Sequence, residues 1–355
     1  MRVLTFAGTS REIGQAFGES CRDAIARFYR IRIDIAIEQA QIYGGRTVSE
    51  PEVLRSAAAC LAPTEAYDPV GYEELLGIAE GAGLTSPQVM ALNGLTDLRD
   101  TLSWGEDPEG CSAFIAAGDS TANGRLLCGQ TWDLATNNMP FVIGVNRQPT
   151  EGPETWSMTT TGCLSLIGLN AEGIAVGTTN LRTTDSRPGV VYLSILHRIL
   201  RATSLEEGIQ AVISATRASG HFYFIADGRG KAAAIECTGT SHHVKRIAHG
   251  IHTQCNHCLI PEHRALEGLA PSSSSLRRTD RLLQLLNATR DTNSVDTAKA
   301  YFADVDGGAD AICRDEPHGI SSNGAVIMVP EDRTIVACHG PPSRAKWIDL
   351  RGATT

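Results

Sequence analysis

The sequence predicts an α+β protein in which two mainly antiparallel sheets are stacked and helices cover their outer faces. Three observations lead to this prediction. The first 110 residues carry apolar residues mainly at helical spacing, and from Cys111 onward short strand-like runs follow instead. The pairs Asn123-Gly124 and Asp227-Gly228 each lie between strand-like runs, and such pairs are typical of antiparallel hairpins.

The amino-terminal helices begin with a capping signal. Thr9 and Glu12 have capping-box spacing, and the apolar pattern that follows predicts one helix continuing to Ala40. Gly81 and Gly83 are expected between two later helices, because glycine adopts the left-handed conformation that ends a helix. The other helices predicted in this segment cover residues 52–61, 71–80 and 86–95.

After residue 110 the strand-like runs are short and either alternate in polarity or contain β-branched residues. They cover residues 111–117, 126–131, 141–146, 155–160, 174–179, 222–226, 232–236, 243–247, 251–255, 325–329 and 334–338. Three helices are expected among them, at residues 191–201, 205–214 and 276–287. Ser204 followed by Glu207 is a second capping signal, and it predicts where the helix at 205 begins.

The composition excludes several classes of protein. The 355 residues, 42% hydrophobic and 20% charged, suit a soluble globular protein of one large domain or two. The net charge of −9, with no basic block interleaved with aromatic residues, argues against nucleic-acid binding. No apolar stretch approaches the roughly 20 residues of a membrane span, and the first residues do not form a signal peptide. We therefore predict a cytoplasmic protein without membrane association.

Most of the ten cysteines are expected to be small buried residues, because they lack the dense spacing of a disulfide scaffold. Cys111 differs, because a loop containing Asp107-Pro108-Glu109-Gly110 leads directly into a strand that starts with its thiol. Gly110 has no Cβ, so the thiol can approach the Gly110 carbonyl, as an N-to-S acyl shift requires. The pattern is short, and a purely structural Gly-Cys pair is the alternative.

Cleavage between Gly110 and Cys111 would give one residue both halves of a catalytic pair. A free α-amine titrates at about 7.7–8.0 and a thiol near about 8.5, so the amine can deprotonate the thiol of its own residue. No catalytic histidine is then needed.

An ordered series of motifs along most of the chain resembles the acyl-coenzyme A:6-aminopenicillanic acid acyltransferase family. In that family an acidic-Gly-Cys site is cleaved and is followed by a strand turn and Gly-Gln-Asn-Trp-Asp, where Thr131 here replaces the asparagine. The matching segments are Glu109-Gly110-Cys111, Asn123-Gly124, Gly129-Gln130-Thr131-Trp132-Asp133, residues 168–176, Asn256-His257-Cys258-Leu259, Ser275 with Arg278 and Arg281, Cys313-Arg314, and residues 8–14.

The resemblance implies a four-layer αββα N-terminal nucleophile hydrolase fold and a precursor that cleaves itself. Residues 1–110 and 111–355 would be the two fragments, held together as one structural domain and hence a heterodimer. The implied chemistry is amide hydrolysis or acyl exchange on a small molecule through a thioester. No cofactor is implied.

Four further residues take roles by this resemblance. Asp133 would hold the Cys111 α-amine, and Asn256 would donate to the oxyanion. Ser275 would assist self-cleavage, and Arg278 would lie in the active site, because the related choloylglycine hydrolases share a Ser-Ser-x-x-Arg-x-x-Arg pattern. The alternatives are a strand-end carboxylate for Asp133 and an ordinary asparagine leaving a sheet for Asn256.

The arginines of the predicted helix at 276–287 also have a plain interpretation, a solvated face with Arg277, Arg278 and Arg281 near acidic residues such as Asp280. Arginine early in a helix is disfavoured by the helix dipole, so something must offset that effect.

One position departs from the family pattern. Ala113 stands where the acyltransferase has a threonine two residues after its nucleophile, which favours general amide hydrolysis over penicillin-type acyl exchange. The same departure supports a further alternative, an uncleaved relative that binds a ligand without chemistry.

A rival of another class is a zinc-stabilised binding protein built on His252, Cys255, His257 and Cys258. The cluster has one Cys-x-x-Cys and no second pair at a distance, and alternate strand residues face opposite sides. We therefore predict no metal site.

Overall fold

The computed structural model describes residues 1–102, 109–268, 273–316 and 319–352. Within these ranges the helices are α1 (Ser10–Ser20), α2 (Arg22–Gly44), α3 (Glu50–Ala59), α4 (Leu61–Tyr67), α5 (Pro69–Ala82), α6 (Ser86–Leu102), α7 (Tyr192–Ile199), α8 (Leu205–Ile213), α9 (Pro261–Arg264), α10 (Ser273–Ala288) and α11 (Val295–Phe302). The strands are β1 (Val3–Gly8), β2 (Gly110–Ala117), β3 (Leu127–Ala135), β4 (Val142–Pro149), β5 (Thr155–Thr160), β6 (Ile167–Asn170), β7 (Ala175–Leu181), β8 (Gly220–Ala226), β9 (Ala232–Cys237), β10 (His242–Ile247), β11 (Gly250–Gln254), β12 (Ile320–Val329), β13 (Thr334–His339) and β14 (Trp347–Asp349).

The strands form two sheets. One has eight strands in the order β1-β4-β5-β6-β7-β8-β9-β10, and the other has six in the order β11-β2-β3-β12-β13-β14. Neighbouring strands are antiparallel, except that β1 pairs in parallel with β4. This confirms the predicted α+β class with two mainly antiparallel sheets.

The sheets are stacked, and helices lie on both outer faces. Gly177 on β7 shows how closely the sheets approach, because a Cβ there would lie 2.3 Å from Gln130 Oε1 on the facing sheet. Helices α10 and α11 cover the six-stranded sheet, with Leu282 and Phe302 packed on Phe114. Helices α7 and α8 pack on the eight-stranded sheet. The four layers are therefore helix, sheet, sheet and helix, as predicted.

The amino-terminal segment follows its capping signal but not its predicted length. The Thr9–Glu12 capping box is present, and the first helix ends at Ser20 because Cys21 leaves the helical conformation, with φ −119° and ψ 12°. The prediction of one helix continuing to Ala40 was therefore wrong. The segment also contains β1, which the helical pattern did not reveal.

Gly81 lies inside α5 rather than between helices, contrary to the prediction. A Cβ at Gly81 would lie 2.2 Å from Gln15 O on α1, so the glycine permits a close crossing of the two helices. Gly83 ends α5 with φ +69°, as predicted.

Both predicted hairpins are present. Strands β2 and β3 pair antiparallel on either side of Asn123-Gly124, and β8 and β9 pair around Asp227-Gly228. In the second hairpin the positive φ falls on Gly230, at +74°, because the turn closes five residues with a bond from Asp227 N to Lys231 O.

The ten cysteines, all within the described ranges, are buried, and none forms a disulfide. In the part of the chain that the structure describes, every helix is too short or too polar to cross a lipid bilayer.

Candidate active site

Cys111 lies at the start of β2, between β3 and β11 in the six-stranded sheet. Its neighbour Gly110 pairs with Asp133, and Cys111 itself pairs with Trp132. Because side chains alternate along a strand, Cys111 faces the other sheet while Ser112 faces α10. The thiol residue is only 7% exposed. Asp107 and Pro108, part of the loop predicted before it, lie outside the described residues.

Cys111 lines a cleft that both sheets, α6 and α7 enclose. The residues that line it are Thr96, Glu109, Gly110, Cys111, Trp132, Asp133, Leu134, Leu166, Thr178, Asn180, Tyr192, His221 and Asn256. Three of the four residues predicted to be catalytic therefore share one cavity, and the fourth, Arg278, contacts two of its lining residues.

Asn256 holds the N–H of the Gly110–Cys111 peptide. Cys111 N donates to Asn256 Oδ1 at 2.8 Å, and Asn256 Nδ2 donates to the Asn180 carbonyl at 3.0 Å. Arg278 Nη2 donates to the same Oδ1 at 3.0 Å. Because the backbone N–H and the guanidinium can only donate, the amide oxygen must face them. The Nδ2 group has two N–H donors, and among the described residues only one of them, the donor to Asn180, forms a hydrogen bond.

Arg278 is almost fully buried, at 1% exposure, and binds the main chain on the carboxyl side of Cys111. Its Nη1 donates to the Cys111 carbonyl oxygen and, at 3.1 Å, to Ser112 Oγ. Its Nε donates to Ser274 Oγ at 3.1 Å. These acceptors, together with Asn256, offset the unfavourable position of an arginine near the start of α10.

Gly110 is in close contact with this guanidinium. A Cβ at position 110 would lie 2.9 Å from Arg278 Nη2. The glycine therefore lets Arg278 reach the Cys111 carbonyl oxygen. The sequence did not indicate this reason for a glycine at position 110.

The other two arginines of α10 are on its outer side. Arg277 is 68% exposed and pairs with Asp310 at 2.8 Å, and Arg281 pairs with Asp304 at 2.7 Å. The interpretation as a solvated face holds for these two and fails for Arg278, whose partners are not acidic surface residues. The structure gives the two outer arginines partners other than the suggested Asp280.

Ser275 positions the loop that carries Asn256. Its Oγ accepts from Asn256 N at 2.8 Å and lies 2.8 Å from His257 Nδ1. Burial, with help from Arg264 and Arg278, lowers the pKa of His257, so the neutral ring can accept the hydroxyl proton.

Asp133 is fully buried on β3. Its Oδ1 accepts from Ser322 Oγ at 2.7 Å, and its Oδ2 has no hydrogen-bond partner among the described residues. Burial raises the pKa of this carboxyl, although Arg278 and Arg314 act in the opposite direction. One carboxylate oxygen of Asp133, the residue that pairs with Gly110, can thus take a further donor. Ser322 was missed from sequence, because only the register of β12 on β3 brings it to Asp133.

A buried network on the far wall of the cleft was also missed. His221 Nε2 lies 2.7 Å from Asp97 Oδ1, and Tyr192 N donates to Asp97 Oδ2 at 2.8 Å. The rings of Tyr192 and His221 stack with centroids 4.7 Å apart. These residues come from α6, α7 and β8, so no local motif could have joined them.

The side chains of His252, Cys255, His257 and Cys258 do not surround a common metal position. His257 is bonded to Ser275, and burial lowers the pKa of His252 to about 4. Among the residues that the structure describes, no group of three or more His, Cys, Asp or Glu side chains is arranged to hold a metal ion.

Comparisons with known proteins identify related sequences and structures. The sequence profile of the family "Acyl-coenzyme A:6-aminopenicillanic acid acyl-transferase" matches residues 120–342. That range contains Asp133, Asn256, Ser275 and Arg278 and begins after Cys111. The acyl-coenzyme A:6-aminopenicillanic-acid-acyltransferase 40 kDa form of Emericella nidulans is 26% identical over 339 residues, which are 94% of this chain and 90% of that one.

Two solved structures give weaker similarity. A conjugated bile acid hydrolase from Clostridium perfringens aligns with a TM-score of 0.48 and 13% identity, over 69% of this chain and 93% of that chain. Penicillin V acylase from Agrobacterium tumefaciens aligns with a TM-score of 0.43 and 12% identity, over 68% and 87% of the two chains.

Proposed function

Because the chain belongs to the acyl-coenzyme A:6-aminopenicillanic acid acyl-transferase family, we propose that it is a self-cleaving amidohydrolase whose nucleophile is Cys111. Its substrate would be a small acylated amine, and the reaction would pass through a thioester. One observation carries the proposal: at the wall of a cleft, Asn256 accepts from Cys111 N and Arg278 donates to the Cys111 carbonyl oxygen, so the main chain is held on both sides of the Cys111 Cα.

In the self-cleavage step the Cys111 thiol adds to the Gly110 carbonyl carbon. The C–N bond breaks, the nitrogen takes a proton and becomes a free amine, and Gly110 is left as a thioester on Cys111. Water then hydrolyses the thioester to a Gly110 carboxylate and a free thiol. Asn256 Oδ1, 2.8 Å from Cys111 N, supports this geometry because it can keep accepting from the nitrogen as it becomes an amine.

In turnover the new α-amine takes the thiol proton, and the thiolate attacks the substrate amide carbon. The second N–H of Asn256 Nδ2 would stabilise the oxyanion, since a neutral amide donates without titrating. Asp133 Oδ2, which has no hydrogen-bond partner among the described residues, would accept from the ammonium that forms. The ammonium proton then passes to the leaving amine, and water resolves the thioester.

Acyl transfer is the second candidate, and the family relationship favours it. The two reactions share every step up to the thioester and differ only in whether water or an amine attacks it. Adding an acceptor amine during turnover distinguishes them. Hydrolysis predicts that free acid remains the main product, and transfer predicts a new amide.

Self-cleavage is tested by intact-mass spectrometry of purified wild type and Cys111→Ala. We expect two fragments that divide after Gly110 in the wild type and a single chain in the variant. Cys128→Ala is the matched control, because Cys128 is also buried and lies on the neighbouring strand β3. It should cleave as the wild type does. Recovery of only full-length wild type, or full amide-cleaving activity in Cys111→Ala, would overturn the proposal.

A further inference from the structure

The loop that carries Asn256 covers residues 255–260 and follows β11, the edge strand of the six-stranded sheet. It lies between β11 and α9, so its backbone N–H groups need partners outside regular secondary structure. The Asn256 side chain reaches both sheets, because Cys111 N belongs to the six-stranded sheet and the Asn180 carbonyl to the eight-stranded one. A small shift of the loop would therefore break at least one of these bonds.

Glu236, on β9 of the eight-stranded sheet, binds both ends of this loop. Its Oε2 accepts from Leu259 N at 2.7 Å and from Gln254 Nε2 at 3.3 Å. The two ends of the loop thus meet at one oxygen atom. The other oxygen, Oε1, accepts from Ile260 N at 3.0 Å and lies 3.0 Å from His263 Nδ1.

Contacts inside the loop carry this restraint to Asn256. Gln254 Nε2 also donates to the His257 carbonyl at 2.7 Å. The His257 ring in turn lies 2.8 Å from Ser275 Oγ, which accepts from Asn256 N. Asn256 therefore lies between one point that Glu236 fixes and another that Ser275 fixes.

Glu236 itself lies outside the cleft. It is 5% exposed and is not one of the residues that line the cavity of Cys111. Its hydrogen-bond partners among the described residues all belong to the segment 254–263. A buried carboxylate is unfavourable unless several donors satisfy it, so this carboxylate and the segment fix each other in place. Glu236 therefore links the loop, which leaves one sheet, to the other sheet.

We propose that Glu236 is a positioning residue for both self-cleavage and turnover. Without touching the substrate, it holds the loop where the Asn256 side chain spans Cys111 N and the Asn180 carbonyl. The inference rests on the proposed function, in which Asn256 accepts from the Cys111 nitrogen and donates to the oxyanion. An oxyanion donor is effective when it is oriented before the charge develops. The residues that hold such a side chain therefore determine how well it works.

Glu236→Gln tests the proposal. The amide offers one acceptor oxygen instead of two, so either the Leu259 or the Ile260 N–H loses its partner and the loop must shift. We expect self-cleavage and the kcat of the mature enzyme to fall roughly 10-fold to 100-fold, while KM stays within about threefold, because a catalytic group is misplaced. Intact-mass spectrometry over time measures the cleavage, and steady-state kinetics with hexanoyl-p-nitroanilide measure the turnover.

Glu74→Gln is the matched control, because Glu74 is also a buried carboxylate but binds Arg147 and His197, which lie outside the loop. Both variants should lower the Tm. At a temperature at which all three proteins are folded, Glu74→Gln should keep the wild-type rates. Equal slowing in the two variants would reduce the effect to lost stability and overturn the proposal, as would wild-type rates in Glu236→Gln.

Gln254→Met is a second and milder test. Methionine has a similar length but no N–H donor, so the bonds to Glu236 and to the His257 carbonyl are lost while the carboxylate remains. We expect the cleavage rate and kcat to fall roughly threefold to tenfold, the effect of a typical hydrogen bond. If Glu236→Gln does not fold, this variant decides the matter, and unchanged rates in it would refute the positioning role.

Amide hydrogen exchange separates this inference from the proposed function. In Cys111→Ala the N–H at position 111 should still donate to Asn256 Oδ1, so its exchange reports where Asn256 lies. Adding Glu236→Gln should speed that exchange at least roughly tenfold, whereas adding Glu74→Gln should leave it within about threefold. Unchanged exchange after Glu236→Gln contradicts the inference. If the wild type neither cleaves itself nor hydrolyses amides, the proposed function fails, while the exchange result still decides whether Glu236 positions Asn256.

Discussion

At the scale of single residues, the site depends on how tightly Arg278 is held against the main chain of Gly110 and Cys111. Its guanidinium bonds to the Cys111 carbonyl, to Ser112 and to Asn256. Gly110 gives it access, because any side chain at that position would occupy the same space. The residue before the nucleophile therefore matters for packing as well as for the approach of the thiol.

Gly110→Ala should slow self-cleavage. The new Cβ would lie 2.9 Å from Arg278 Nη2, so the guanidinium must move and its bond to Asn256 weakens. We expect the rate to fall at least roughly tenfold, since a hydrogen bond to a charged group contributes about 1.5–3 kcal/mol. Intact-mass spectrometry over time measures the remaining precursor.

Gly352→Ala is the control for this substitution, because an added Cβ there meets no atom within 4 Å. It should cleave at the wild-type rate. If Gly110→Ala cleaves as fast as this control, the contact with Arg278 does not matter for the reaction.

At the scale of elements, α5 is tied to the eight-stranded sheet and to α7 by one buried carboxylate. Glu74 lies 2.7 Å from Arg147 Nε on β4 and 3.3 Å from His197 Nε2 on α7. Burial raises the pKa of Glu74, but Arg147 and His197 outweigh it and bring the pKa to about 2. The ionised form is therefore the one that stabilises the packing of these three elements.

Glu74→Gln should lower the free energy of unfolding by about 3–5 kcal/mol at pH 7, because it leaves Arg147 buried without its partner charge. Glu73→Gln is the control, since Glu73 is 52% exposed in its pair with Arg11 and should change stability by only about 0–1 kcal/mol. Urea unfolding measures both. Equal losses for the two variants would contradict this account.

The same pair determines a dependence on pH. The folded pKa of Glu74, about 2, lies below the ordinary glutamate pKa of 4.5, so its contribution is fully present above pH 4.5. It is lost as the pH falls from 4.5 towards 2. In Glu74→Gln the unfolding free energy should therefore decrease less steeply across that window than in the wild type.

At the scale of the whole molecule, the proposed cleavage would divide the chain without dividing its core. Ile13, Phe17 and Leu75 from the amino-terminal side belong to the same hydrophobic cluster as Val145, Leu169 and Phe224 from the other side. Strand β1 is also hydrogen-bonded to β4.

The fragments 1–110 and 111–355 should therefore remain associated after cleavage. Size-exclusion chromatography in native buffer should give one peak that contains both fragments, at the elution volume of the uncut Cys111→Ala protein. The two should separate only in denaturant, because separation would expose the shared core to water. Free 1–110 fragment in native buffer would contradict the prediction.

The sequence was sufficient for features that depend on neighbouring residues. The structure contains the change from helices to strands near residue 110 and the Thr9–Glu12 cap. It also contains both predicted hairpins in the predicted order. These signals are local, because capping, turn geometry and apolar period act over a few residues. The ordered motifs also identified Cys111, Asp133, Asn256 and Arg278 as candidate site residues, and these lie close together in the folded chain.

Tertiary structure alone decided what surrounds those residues. Helix packing placed Gly81 inside α5, and strand register brought Ser322 to Asp133. These residues are far apart along the chain, and their proximity results from how helices and sheets pack. A linear pattern carries no signal for such contacts, because only the folded chain determines which buried polar groups meet.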